Sequence, residues 1–243
     1  MAIKILINGA GGRMGQLAVE TINKAEDLEL VGTAYRGDDL TTMIKASQAE
    51  VVLDLTAASA VYENVTTIIA ANAHPVIGTS GLTPAQVKEL QQRCAEKQLG
   101  GIIAPNFSIG AVLMMRFAQM AAPYFSQVEI IEMHHTEKED APSGTAIKTA
   151  NLIATARENV AAPKSVREII PGSRGALANN IPIHAIRIPG VVATQEVIFG
   201  GPGETLSLKD SAINREAYMP GICFACRKVV GLRELIYGLD QLL

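Results

Sequence analysis

Seven residues near the N-terminus, Gly9-Ala10-Gly11-Gly12-Arg13-Met14-Gly15, restrict the fold more than any other feature of the chain. They follow a short apolar run at 3–8 and precede Met14, Leu17, Ala18 and Ile22 at helical spacing. Glycines let the backbone turn tightly and approach a phosphate, and the helix start offers N–H groups and a partial positive charge. The pyrophosphate of a dinucleotide belongs at such a place. The usual G-x-G-x-x-G does not fit, because its third glycine would fall on Met14. G-x-x-G-x-x-G fits instead, through Gly9, Gly12 and Gly15. A tight turn alone is the competing reading; the strand before, the helix after and a second strand at 28–35 favour the nucleotide.

The alternation continues. Strand-like runs at 50–56, 75–78 and 101–104 are separated by a helical pattern at 61–72 and by a helix opening at Thr83. Thr83-Pro84-Ala85-Gln86 is a capping-box pattern, with Thr as N-cap and Pro in the first helical position. The strands are continuously apolar, as expected when helices cover both faces of a parallel sheet. The fold class predicted is α/β, a Rossmann-like doubly wound parallel sheet.

After residue 106 the grammar changes. A Met-rich helix at 108–122, an alternating strand at 129–135 and a helix at 143–158 precede strands at 181–188, 194–199 and 204–208. Strands without intervening helices predict an α+β second domain with a mixed sheet. The Gly-, Pro- and Asn-rich stretch 159–180 reads as a functional or interface loop. Residues 220–243 return to helical spacing and are expected to pack on the first domain. Residues 1–106 with 216–243 then form a dinucleotide-binding domain, and 107–215 a substrate-binding and oligomerisation domain.

Composition narrows the partners. The net charge of −3 and the lack of a long basic stretch speak against nucleic acid. No stretch approaches the ~18 apolar residues needed to span a bilayer, so no membrane partner is expected. Three cysteines are too few for a disulfide framework, and a reducing cytoplasm is the expected setting. Cys223-Phe224-Ala225-Cys226 has redox-pair spacing, but it lies on an apolar helix expected at 221–230, where two buried structural thiols are the simpler reading. No metal site is predicted.

Which dinucleotide is used turns on the end of the second strand, where an NAD-selective site carries Asp or Glu. Here the residues are Tyr35-Arg36-Gly37, followed by Asp38 and Asp39. Arg36 suits a 2′-phosphate, so NADPH is expected in preference, with NADH as the alternative.

The chemical stretch runs from Glu132 to Ala146 and holds two of the four histidines, His134 and His135. Adjacent histidines point to opposite faces of a strand, which excludes a simple bidentate metal pair. Lys138 follows, and Ser143-Gly144-Thr145 opens a helix whose first N–H groups would accept a carboxylate. Imidazole, ammonium and amides together make a pocket for an anion with a proton donor beside it.

These residues resemble the signature of the 4-hydroxy-tetrahydrodipicolinate (dihydrodipicolinate) reductase family. Residues 9–15 match its GAGGRMG loop, Gly78-Thr79-Ser80-Gly81 its GT[TS]G segment, and residues 104–110 its APNFSIG linker. Residues 134–145 match its HHxxKxDAPSGT run, and 174–175, 183–187 and 195–200 also look familial, so the resemblance spans the chain in order. It implies NAD(P)H-dependent reduction of 4-hydroxy-tetrahydrodipicolinate to tetrahydrodipicolinate with loss of water, in lysine and diaminopimelate biosynthesis. His134 would be the acid/base and Lys138 a second proton donor; His135, Gly144 and Thr145 would bind the dicarboxylate. Gly9, Ala10, Gly11, Gly12, Arg13, Met14 and Arg36 would hold the cofactor. Gly78, Thr79, Ser80, Pro105, Asn106, Phe107 and Ser108 would line its nicotinamide end. The resemblance also implies a homotetramer joined through the second-domain sheets, and the linker at 106–110 reads as a hinge.

Two residues depart from the family. Tyr35 stands where several members carry an acid, and Lys209 where relatives often have histidine. Two rivals remain in view: another two-domain oxidoreductase, such as an aldehyde or homoserine dehydrogenase, and a module that binds nucleotide without turnover. A phosphorylating aldehyde dehydrogenase needs a nucleophilic cysteine, and Cys94 sits in a charged helical stretch without a glycine turn or histidine nearby.

Overall fold

A computed structural model describes residues 1–157 and 166–243. The end of the helix expected at 143–158 and the first part of the 159–180 loop lie outside the described residues. In chain order the elements begin β1 (Ile3–Asn8), α1 (Arg13–Asn23), β2 (Leu28–Ala34), α2 (Leu40–Ser47) and β3 (Val51–Asp54). Next come α3 (Val61–Ala70), β4 (His74–Ile77), α4 (Pro84–Lys97) and β5 (Gly101–Ile103). Then follow α5 (Ile109–Ala121), β6 (Gln127–His134), α6 (Gly144–Ala156), β7 (Ala176–Ala178) and β8 (Ile181–Arg187). The chain closes with β9 (Ala193–Gly201), β10 (Glu204–Ala212), α7 (Met219–Val229) and β11 (Leu235–Tyr237). No described helix is long and apolar enough to cross a membrane. The chain divides into two compact units, Met1–Ser108 with Arg215–Leu243, and Ile109–Asn214.

The first unit is a six-stranded sheet in the order β11-β5-β4-β3-β1-β2, parallel throughout. From β1 the chain steps out to β2, then crosses back to β3 and continues the other way. Ligands of such sheets bind at that reversal, beyond the carboxyl ends of the strands. Successive residues Ile5, Leu6 and Ile7 are all fully buried, as are Val51, Val52 and Leu53. Both faces are covered, which is why these strands read as unbroken apolar runs. Leu6, Val52, Ile77 and Ile103 form one core with Ile44 of α2, Val65 and Ile68 of α3, and Leu90 of α4. Helices α1 and α7 pack on each other. The capping box of α4 forms: Thr83 Oγ1 accepts from the Gln86 N–H at 3.3 Å, and the Thr83 N–H donates to Gln86 Oε1 at 2.9 Å.

Residues 220–243 do not remain helical. The helix ends at Val229, and Leu235–Tyr237 adds a strand beside β5. Gly101 N–H donates to the Glu234 carbonyl at 3.0 Å and Gly238 N–H to Ile103 at 2.8 Å, bracketing the pair. Three apolar residues carry no period, so a helical spacing that includes them is fortuitous. Helix α2 and strand β7 are further elements that periodicity did not single out.

The second unit is a mixed five-stranded sheet, β10-β9-β6-β8-β7. β6 runs parallel to β8 and antiparallel to β9; β10 and β7 pair antiparallel at the edges. Alternation puts Val128, Ile130, Glu132 and His134 of β6 on one face, opposite Phe199, Val197, Gln195 and Ala193 of β9. Val128, Ile130, Val197 and Phe199 are buried, as are Ala146, Ala150 and Ile153 of α6, which packs with α5 and on the sheet. That face therefore begins apolar and ends polar, where β6 meets the approach to α6.

Candidate active site

In the first unit the glycine loop leaves β1 and enters α1. Gly9 has φ +87°, and a Cβ there would press on the Leu55 carbonyl oxygen at 2.6 Å. A Cβ on Gly15 would collide with the Gly9 carbonyl oxygen and with Ala10. Only glycine allows the loop and the helix start to lie this close. Gly12 is the N-cap of α1 in extended conformation, no side chain caps it, and no acid stands in the first turn. Gly11, Gly12 and Arg13 are exposed and Met14 is half-buried, while Ala10 is buried. A bare helix start fronted by glycines fits a pyrophosphate.

The neighbouring strand ends are locked by one carboxylate. Asp54 is fully buried at the end of β3. It accepts from Asn8 Nδ2 at 2.9 Å, Asn64 Nδ2 at 2.8 Å, Thr56 Oγ1 at 2.8 Å and Thr79 Oγ1 at 2.6 Å. Those donors replace the water a buried carboxylate loses, and they fix the ends of β1, β3 and β4 relative to α3. Thr79 is thereby held in place, between half-buried Gly78 and exposed Ser80. A Cβ on Gly78 would meet the Phe107 ring at 2.6 Å, and Gly221 of α7 lies directly on the Phe107 backbone. Asn106 Oδ1 accepts the Ser108 N–H at 2.8 Å, while Pro105 is exposed. The structure thus brings Gly78, Thr79 and Phe107 together at one edge of the sheet.

At the end of β2, Tyr35 and Arg36 are exposed. Asp38 accepts the Tyr35 N–H at 2.8 Å, and Asp39 caps α2 by accepting the Thr42 N–H at 3.3 Å while also accepting from Thr42 Oγ1 at 2.6 Å. Both carboxylates that follow Arg36 are engaged in local turns. Asp39 is held below the usual carboxylate range by those Thr42 bonds.

In the second unit His134 ends β6, and its Nδ1 lies 2.6 Å from Glu132 Oε2. Burial pulls the imidazole below its ordinary value of 6.5; Glu132 opposes that, while the Lys138 and Arg187 charges add to it. Lys138 Nζ donates to Asp140 Oδ1 at 2.6 Å. Ser143 caps α6, accepting the Ala146 N–H at 3.2 Å. Gly144 opens the helix, and a Cβ there would meet nothing within 4 Å, so the helix start faces open space beside Thr145. His135 is half-buried, and its Nδ1 is buried with no partner among the described residues.

Two residues that the sequence reading gave no role bind these parts together. Glu132, fully buried, accepts both ends of the Arg187 guanidinium at 2.9 Å each and the Ser143 N–H at 3.1 Å. Arg187 also donates to the Asp140 carbonyl at 2.6 Å and the Lys138 carbonyl at 3.3 Å. Strand end, lysine loop and helix start therefore converge on a single ion pair. The signal was present: residues 132 and 134 are two apart in an alternating strand and must share a face. Such a group of imidazole, ammonium and helix start can hold an anion and pass it a proton.

No thiol competes for the chemistry. Burial pushes Cys94 up to about 11, and raises Cys223 and Cys226 as well. A thiol so rarely ionised is a poor nucleophile, which removes the cysteine-dependent rival.

Comparison with known proteins identifies the family. Residues 3–107 match the family described as Dihydrodipicolinate reductase, N-terminus, and residues 110–243 match its C-terminus. A 4-hydroxy-tetrahydrodipicolinate reductase of Legionella pneumophila (strain Paris) is 52% identical over 243 residues, all of both chains. One of Coxiella burnetii (strain Dugway 5J108-111) is 50% identical over the same length. A dipicolinate-bound dihydrodipicolinate reductase from Paenisporosarcina sp. TG-14 superposes with TM-score 0.91 at 40% identity, covering 100% of both chains. A dehydrogenase (MviM) of Clostridium difficile, 13% identical with TM-score 0.67 over 99% of this chain and 95% of its own, shares the fold. The chain belongs to the dihydrodipicolinate reductase family.

Proposed function

We propose that this chain reduces 4-hydroxy-tetrahydrodipicolinate to tetrahydrodipicolinate, with NADPH preferred over NADH. In the net reaction the ring loses its hydroxyl and one ring proton as water, and gains a hydride and a proton. The observation that carries the reading is the convergence of His134, Lys138 and the start of α6 on the Glu132–Arg187 pair.

The roles follow from the surroundings. The start of α1 and residues 9–14 hold the pyrophosphate, and Arg36 meets the 2′-phosphate. That choice is supported by the exposure of Arg36 and the local engagement of Asp38 and Asp39. Gly78, Thr79, Ser80 and residues 105–108 line the nicotinamide end. A bound reduced nicotinamide supplies the hydride. His134 supplies a proton to the ring, and Lys138 acts as a second donor while attracting the substrate's negative charge. Gly144 and Thr145 at the helix start hold a carboxylate, and His135 contributes to the same dicarboxylate site, as in the family signature its residues match.

Residues 1–106 with 216–243 serve the cofactor, and 107–215 serve substrate and assembly. We place the enzyme in the cytoplasm as a homotetramer joined through the second unit's sheet. Exposed Leu177 and Ile186 on that sheet support the contact. The test is a coupled assay with freshly generated substrate, run with NADPH and then NADH. Substrate-dependent oxidation, faster at low NADPH than at equal NADH, is expected. Cofactor binding without substrate-dependent oxidation would make the protein a nucleotide-binding module instead.

A further inference from the structure

A fully buried carboxylate is stable only where opposite charge and hydrogen bonds replace its water. Glu132 has both. The planar guanidinium of Arg187 meets it as a fork, and the Ser143 N–H and His134 complete its surroundings. Burial acts to raise the Glu132 carboxyl, but the Arg187, His134 and Ser143 bonds outweigh it and hold the group below its ordinary range.

An ionised carboxylate can only accept. Neutral His134 must therefore carry its proton on Nδ1, facing Glu132, and leave Nε2 as the atom that exchanges protons. An isolated imidazole has no such constraint. The Arg187 donors that reach the Asp140 and Lys138 carbonyls fix the loop bearing the ammonium at the same time.

We propose that Glu132 and Arg187 are positioning residues of the reaction: Glu132 sets the His134 tautomer, and Arg187 keeps Glu132 ionised while pinning the Lys138 loop. The inference rests on the role given to His134 under the proposed function. The charged groups around that ring are Glu132 on β6, Arg187 on β8, and Lys138 with its partner Asp140 on the loop. On β9 the opposing residue is Ala193, which is uncharged. Among the groups acting on His134, Glu132 alone favours the protonated ring.

The test combines nitrogen NMR of isotope-labelled histidine rings in the ligand-free protein with pH–rate profiles for wild type, Glu132→Gln and Arg187→Lys. Above its titration, the wild-type His134 ring is expected to carry its proton on Nδ1. In Glu132→Gln that preference is lost, and kcat falls by about 10²-fold. Its kcat/KM then declines at lower pH than in the wild type, with affinity for NADPH unchanged. Arg187→Lys preserves a positive charge beside Glu132, so the tautomer and the pH profile are retained while KM for the substrate rises.

A Glu132→Gln enzyme that loses kcat but keeps the ring tautomer and the wild-type pH profile would overturn the proposal, leaving Glu132 a purely structural group. If that variant does not fold, the wild-type ring decides, and protonation at Nε2 overturns the pairing. A wild type that shows no substrate-dependent NADPH oxidation would instead overturn the reductase reading on which the inference rests.

Discussion

The two units prepare their sites by opposite means. In the first, the glycine loop works by lacking side chains: Gly9 and Gly15 let the strand end and helix start approach each other, and the start of α1 is left without a side-chain cap. In the second, the site is crowded with charge, and the parts are held by an ion pair centred on the buried Glu132. A site made of backbone tolerates changes in nearby side chains but no added carbon atom. A site made of coupled charges tolerates bulk but no lost partner.

Substitutions sharpen this contrast. The largest effect on cofactor binding is expected in the backbone-built loop. Gly15→Val would drive side-chain atoms into the Gly9 carbonyl and open the loop proposed to hold the pyrophosphate. Fluorescence titration should show NADPH affinity weakened on the order of 10²-fold. Affinity of the same variant for the proposed dicarboxylate substrate should be unchanged.

Next comes the pH dependence that a charge-built site must show. In the proposed mechanism His134 donates when protonated, and burial holds the ring below its ordinary value of 6.5. The kcat/KM profile should therefore fall as pH rises, with its midpoint below that value. The kcat profile should fall at higher pH, because the bound dicarboxylate favours the imidazolium. A kcat/KM that stays flat from acid to neutral pH would contradict the assignment. A smaller effect belongs to Arg36→Ala, expected to raise KM for NADPH about tenfold and leave that for NADH nearly unchanged. The smallest is Ser143→Ala, which removes the α6 cap and should cost about 1 kcal/mol. Thermal denaturation should show a Tm lower by about 2–4 °C.

How much could be read from the sequence follows the same division. Glycine spacing between a strand and a helix is a local pattern, and the alternation of buried strands and helices is another; both were legible. Helix α2 was not, since Ile44 is its one buried residue and its start depends on the Asp39 cap. Strand β11 was not, because pairing with β5 and not periodicity makes it a strand. In the second unit His134, Lys138 and Gly144 stood out as residue types. What holds them did not, because Arg187 lies 55 positions beyond Glu132 and only the register of β6 with β8 brings them together. Asp54 escaped notice for the same reason, as its four side-chain donors come from β1, the turn after β3, α3 and the turn after β4.

The most direct measurement is steady-state NADPH oxidation with freshly generated 4-hydroxy-tetrahydrodipicolinate, in His134→Gln and Lys138→Ala beside the wild type. The account predicts that kcat falls by about 10²–10³-fold in the first with cofactor affinity preserved, and that turnover and substrate affinity both fall in the second. Near-native kcat/KM in both variants would contradict it.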